Sequence, residues 1–366
     1  MREENEDYLN RQIITYIGNK RSLLPFIRTG VNKVLSRLNR KSIKTFDVFS
    51  GSGVVARYLK SCSSKIIVND LEKYSEVINR CYLSNVSEID TQKLSGYYNK
   101  LLDRLEEELK PGFIAKLYAP GKNNLIREGD RVFYTYRNAC YIDTVRSRIE
   151  EIPAEYKNYF LGPLLSEASV HSNTAGVFKG FYKDSKTGVG KFGGNSEDSL
   201  ARILGNIALP FPVFSGFECE YEVHRGDSNI IINSVEDVDL AYLDPPYNQH
   251  PYGSNYFMLN LIADYAEPRN ISSVSGIPDN WNRSPYNKRP HAYSSFEDLA
   301  EKIKAKFLLV SFNSEGFIGC QEMTDLLKKL GKLEILETKY NTFRGGRNLR
   351  SRNIHVKEYL YLLEKN

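Results

Sequence analysis

Hydrophobic and polar positions along the chain follow two rhythms. Short apolar runs of strand type cover Ile43 to Phe49, Lys65 to Val68, Val238 to Tyr242 and Lys306 to Phe312. Around them, apolar residues recur at helical spacing over Phe26 to Leu38, Val54 to Lys60, Tyr74 to Leu83 and Cys320 to Leu330. Leu333 to Lys339 and Val356 to Glu364 predict a terminal antiparallel pair. Strands separated by helices at both ends of the chain predict an α/β fold on a largely parallel sheet. From about residue 90 to 215 the strand rhythm stops. Helical stretches there (Leu94 to Leu109, Asn138 to Glu150) alternate with Tyr-, Asn- and Gly-rich segments such as Gly188 to Asn195. The expected organisation is one unit formed by residues 1–90 and 216–366, with 91–215 inserted into it as a mainly helical region.

The ends of the expected strands carry the candidate chemistry. The Val238–Tyr242 run halts at Leu243-Asp244-Pro245-Pro246-Tyr247, because neither proline can donate a ladder hydrogen bond. In open α/β sheets, ligands bind at the carboxyl ends of strands. This turn brings together a carboxylate (Asp244), a free carbonyl (Pro245) and an aromatic face (Tyr247). Two acceptors can hold the two hydrogens of an amino group while the ring stacks on the base that bears it, although Asp-Pro-Pro alone is also common loop punctuation.

Ile43 to Phe49 runs into Ser50-Gly51-Ser52-Gly53 and then a helix, the opening of a nucleotide-binding unit. Arg57 stands near where a dinucleotide fingerprint wants a small residue, which disfavours pyrophosphate. The next strand ends at Asn69-Asp70, where such folds bind a ribose. Asp227 closes the short strand through Val223; it either contacts a ligand's adenine or caps the helix that follows. Near the N-terminus, Tyr16 to Leu24 puts Gly-Asn-Lys-Arg before a helix, a place where backbone N–H groups and the Lys20 ammonium can meet a ligand.

Composition narrows the class. With 366 residues, 41% hydrophobic content and a mean hydropathy of −0.45, the chain reads as soluble and globular. It has no apolar run long enough for a membrane span, and its acidic, polar start is no leader, so the cytoplasm is expected. Five scattered cysteines suit neither a disulfide framework nor a zinc site and are expected to be buried apolar residues; no metal site is expected. A net charge of +5 mildly favours a polyanionic partner. Lys339 to Lys357 holds six Lys/Arg and no acidic residue, so Arg344, Arg347, Arg350 and Arg352 form a candidate phosphate clamp. Residues 268–293, rich in Pro, Ser and Asn and bearing Trp281, Arg283 and Tyr286, are expected to form a lid. Base reading is assigned to 91–215 as a region, beside the equal possibility of a solvated helical insertion.

In this order, YIGNKRSLL, DVFSGSG, the VND strand end, DPPY and LLVSFNSEG resemble the D12 class, the Dam-like N6-adenine DNA methyltransferases with motifs in the α order. The resemblance implies a Rossmann-like methyltransferase sheet with an inserted target-recognition region, S-adenosylmethionine as cofactor, and double-stranded DNA as partner. By that resemblance Tyr16 and Lys20 contact the cofactor, Asp47, Gly51 and Gly53 line its methionine part, Asp70 takes the ribose hydroxyls and Asp227 the adenine. Position 16 is Tyr where some members carry Trp. The catalytic group is Asp244, Pro245 and Tyr247. The implied reaction methylates the adenine amine of a flipped-out base, within a restriction–modification system whose cognate restriction endonuclease is left open, as is the oligomeric state. Three alternatives stand beside it: an RNA adenine or guanine methyltransferase, a cytosine N4 enzyme, and a DNA-binding protein on an inert scaffold. A nuclease lacks its PD…ExK constellation here.

Overall fold

The computed structural model of the chain describes residues 4–194, 199–341 and 355–366. The candidate clamp residues Arg344, Arg347, Arg350 and Arg352 lie outside the described residues. Among the described residues, seven strands form one sheet: β1 (Ile43–Asp47), β2 (Ser63–Asp70), β3 (Glu220–Arg225), β4 (Val238–Leu243), β5 (Ala305–Asn313), β6 (Gly331–Asn341) and β7 (His355–Lys365). Their spatial order is β3-β2-β1-β4-β5-β7-β6. β1 to β5 pair in parallel, while β7 runs antiparallel between β5 and β6. The expected Rossmann-like α/β sheet and its terminal antiparallel pair are both present. Each predicted strand extends by a residue or two past its apolar run except β1, which stops at Asp47, two residues short of Phe49.

Both faces of the sheet are covered. One packs Phe46, Ile67, Ala241, Leu308 and Val310 under the Arg289–Lys302 and Cys320–Leu330 helices, which contribute Phe296, Leu299, Met323 and Leu327. The other packs Ile66, Val68, Leu240 and Leu309 under Ile27 and Val31 of the Leu24–Leu38 helix and Val55 and Leu59 of Val54–Lys60. Burial on both faces is why the central strands read as continuous apolar runs. Two cysteines are not buried as expected. Cys320 is exposed at the start of its helix, and Cys62 is only half-buried. The 268–293 connection is also shorter than expected: Pro290 sits in the first turn of the Arg289–Lys302 helix, where its missing N–H costs nothing.

Residues 91–215 supply further helices, among them Thr91–Glu107, Tyr136–Ile149 and Ala154–Val170. Ala154–Val170 shows no amphipathic stripe in sequence because Gly162, Pro163, Ser166 and Ser169 are buried on the side away from Phe160, Leu161, Leu164 and Leu165. Gly162 permits its close approach to the Lys73–Tyr82 helix, since a Cβ there would stand 2.8 Å from Cys81 Cβ. These helices share one apolar cluster with Tyr74, Val77 and Ile78 before them and Phe257 to Ala263 after them. No helix among the described residues is long and apolar enough to cross a membrane.

Candidate active site

The strand order reverses between β1 and β4, the point where open parallel sheets present a crevice. Three carboxylates collect there because three neighbouring strands end there. Asp47 closes β1, Asp70 closes β2, and Asp244 follows Leu243 at the end of β4. Register fixes their separation along the sheet: Asp47 pairs with Tyr242 on one side and Val68 on the other, each two residues short of its strand's own acid. Tyr16, Lys20, Asp47, Gly51, Asp70, Asp227 and Asp244 all line one cavity. Segments far apart in the chain thus meet at one cleft. Gly53, Pro245 and Tyr247 stand just outside its lining. Gly53 takes φ +71° before the Val54–Lys60 helix, and Pro245 is buried in the turn.

Local sequence explains each placement. Gly51 takes φ +53°, and a Cβ there would lie 2.9 Å from the Tyr16 ring, so the turn closes against Tyr16 only as glycine. The Gly51 N–H donates to Asp70 Oδ2 at 2.8 Å and the Glu72 N–H to Asp70 Oδ1 at 2.9 Å. Burial still outweighs these bonds and pushes the Asp70 carboxyl up to about 6. Asp47 is 1% exposed, and neither of its oxygens has a full hydrogen-bond partner. Burial, with Asp244 and Asp70 adding to it, raises its carboxyl well above the ordinary range; Ser50 and the Phe49 amide offset this only in part. A buried carboxylate lacking donors calls for a cation or N–H donors from a ligand.

Asp227 performs the capping alternative, accepting from the Asn229 N–H at 2.9 Å, while still lining the cavity. Tyr16 is stacked on Tyr252 and Tyr256, with ring centroids 5.0 and 4.8 Å away, and its hydroxyl meets that of Tyr74 at 3.1 Å. The protein itself therefore fixes this ring.

The turn after β4 is held by the end of β5 and the segment that follows it. The Phe317 N–H donates to the Tyr247 carbonyl at 2.9 Å, and the Tyr247 ring meets Phe312 edge-on with centroids 5.7 Å apart. The Lys20 ammonium is 3.2 Å from Asp244 Oδ1, 2.8 Å from Glu358 Oε1 and 5.9 Å from the centre of the Tyr247 ring. Burial lowers the Lys20 ammonium, but Asp244 and Glu358 together outweigh it and hold its pKa well above the usual lysine range. Burial raises Asp244 to about 6, with Lys20 pulling the other way.

Several lining residues gave no usable signal in sequence. Glu72, raised by burial to about 7, accepts from Asn260 Nδ2 at 2.5 Å and from Asn282 Nδ2 at 2.9 Å. This ties the connection after the Phe257–Asp264 helix to the cleft, and Ser284, Tyr286 and Asn287 of that connection line it too. Glu358 did leave a trace: it is a carboxylate abutting the apolar run Tyr359 to Leu363, on a strand buried on both faces.

Comparison with known proteins narrows the chemistry. The family model described as D12 class N6 adenine-specific DNA methyltransferase matches residues 16–306. The Type II methyltransferase M.NlaIII of Neisseria lactamica is 30% identical over 363 residues, covering 96% of this chain and 99% of that protein. M.CviAII of Paramecium bursaria Chlorella virus 1, also named a Type II methyltransferase, is 27% identical across 96% of this chain and 98% of its own length. M.FokI of Planomicrobium okeanokoites matches 96% of the chain at 25% identity, but over only 52% of its own length.

Proposed function

We propose, for a chain that belongs to the D12 class N6 adenine-specific DNA methyltransferases, a residue-level course for its reaction: Asp244 and Pro245 hold the adenine amine of a base turned out of duplex DNA, while the β1 and β2 strand ends hold the methyl donor. The observation that carries it is the shared cavity, which Asp244 lines together with Asp47, Gly51 and Asp70.

The donor is S-adenosylmethionine, which supplies when bound a methyl group on a positively charged sulfur. The residues present suit it. Asp47, buried and short of donors, fits an ammonium group, and Asp70, oriented by two backbone N–H groups, keeps lone pairs for ribose hydroxyls. Gly51 and Gly53 let the backbone pass close by. Asp227 takes the adenine, and Tyr16 and Lys20, which line the same cavity, contact the donor.

At the other end of the cleft, the Asp244 carboxylate and the Pro245 carbonyl accept the two amine hydrogens. This draws the nitrogen lone pair out of conjugation and aims it along the cleft. When the nitrogen gains a methyl it must shed one proton, and Asp244 is the acceptor in reach. Tyr247 replaces stacking lost when the base leaves the helix, worth roughly 1–3 kcal/mol per base. Residues 91–215 read the target sequence, and Arg344, Arg347, Arg350 and Arg352 neutralise phosphates. Because the full-length relatives are named Type II methyltransferases, we place the protein in a restriction–modification system, acting beside a cognate restriction endonuclease in the cytoplasm.

The test is transfer of tritium from labelled S-adenosylmethionine to unmethylated phage DNA, followed by nucleoside analysis. N6-methyladenine that disappears in Asp244→Ala is the expected result; full activity in that variant overturns the assignment.

A further inference from the structure

We infer that Glu358 is a positioning residue for methyl transfer: from the antiparallel strand β7 it holds the Lys20 ammonium back from Asp244 and so keeps an Asp244 oxygen open to the target amine. This rests on the amine-holding role of Asp244 given above. Glu358 is 2% exposed and lies outside the cavity lining, whereas Lys20 and Asp244 both border the cavity. Lys20 is nearer to Glu358, at 2.8 Å, than to Asp244, at 3.2 Å. Glu358 is itself fixed, because the Ser311 hydroxyl of β5 donates to the same Oε1 at 2.7 Å.

Charge counting shows what this arrangement does. One ammonium among two carboxylates leaves one negative charge over, and the carboxylate bordering the cleft is Asp244. A buried carboxylate is costly, and Ser311 and Lys20 offset that cost for Glu358. Without Glu358, the ammonium has only Asp244 to pair with, closes on it, and competes with the amine for its oxygens. The other ionisable groups near Asp244 are Asp47 and the hydroxyls of Tyr242, Tyr247 and Tyr252. Burial raises the Tyr242 and Tyr252 hydroxyls well above their ordinary range, so these stay neutral and supply no second anion to Lys20.

The experiment is single-turnover methylation of unmethylated phage DNA by Glu358→Gln across pH, with S-adenosylmethionine affinity measured by calorimetry. The expected rate is lower by about ten- to a hundred-fold, as for a misplaced reacting group, with cofactor affinity little changed. The acid limb of the profile should move to lower pH, because a positive charge near Asp244 is no longer shared. Glu358→Asp should recover part of the rate. A folded Glu358→Gln protein with wild-type rate and limb overturns the inference, as does a slower one whose limb stays put and which Asp does not rescue. Should Glu358→Gln fail to fold, Ser311→Ala, which keeps the charge but loosens Glu358, decides instead: slower transfer at unchanged melting temperature supports the role and a wild-type rate refutes it. Asp244→Ala run in parallel separates the two readings. If it stays active the amine site itself is wrong; if it is inactive beside a wild-type-like Glu358→Gln, only the role of Glu358 falls.

Discussion

Two lysines of this protein sit among carboxylates at opposite ends of the same sheet. Near the start of β2, Lys65 pairs with Glu220, Glu222 and Glu236 at 2.8, 2.6 and 2.5 Å. Beyond the far end of the strands, Lys20 pairs with Asp244 and Glu358. By distance and count the Lys65 group is the stronger. Its glutamates are 41–66% exposed, however, so water and salt screen each pair. The side chains of Asp244 and Glu358 are 18% and 3% exposed, and their charges act almost unscreened. Burial, and not the number of partners, separates an ornament of the surface from a site that can steer a reaction.

That contrast sets out a series of tests. Asp244→Ala, which removes the anion at the cleft, should cost at least about 10²–10³-fold in single-turnover rate, the scale seen when a preorganised polar group is lost. The same anion gives the wild-type enzyme an acid limb. With Asp244 raised to about 6 in the fold, the rate should fall as pH drops through that value, because the protonated carboxyl can no longer accept both amine hydrogen and proton. Lys20→Gln should cost about ten- to a hundred-fold and move that limb to higher pH, since the ammonium favours the ionised form. Its limb would thus move opposite to that of Glu358→Gln, and two shifts in the same direction would break the charge-sharing account. Tyr247→Ala should weaken capture of the flipped base by about ten-fold, within the 1–3 kcal/mol expected of a base stack, as measured by fluorescence of a 2-aminopurine target. Lys65→Gln closes the series: its methylation rate should match the wild type, with melting lowered by about 2 °C or less. A large loss of rate there would dissolve the distinction between the two lysines.

Much of the scaffold was legible in the chain itself. The Val54–Lys60 and Cys320–Leu330 helices coincide with their apolar patterns, and the proline pair after Leu243 marked where β4 must stop. Other elements left a weaker imprint. The Ala154–Val170 helix carries Pro163 and is buried on every side, so it has no face to reveal. The start of the Arg289–Lys302 helix hid in a stretch, 268–293, whose Pro, Ser and Asn content reads as loop. Glu72 is silent in sequence because its burial depends on Asn260 and Asn282, nearly two hundred positions later or more.

What the sequence determined alone was local: which runs become strands, where glycine and proline end them, and which acids stand at those ends. These follow from backbone sterics and hydrophobic period, both fixed within a few residues. Only the tertiary structure decided that Lys20, from a helix entrance, and Glu358, from the last strand, close on Asp244. Their meeting depends on β7 entering the sheet beside β5 and on how little water reaches them, and neither strand insertion nor dielectric environment is a property of any short stretch of chain.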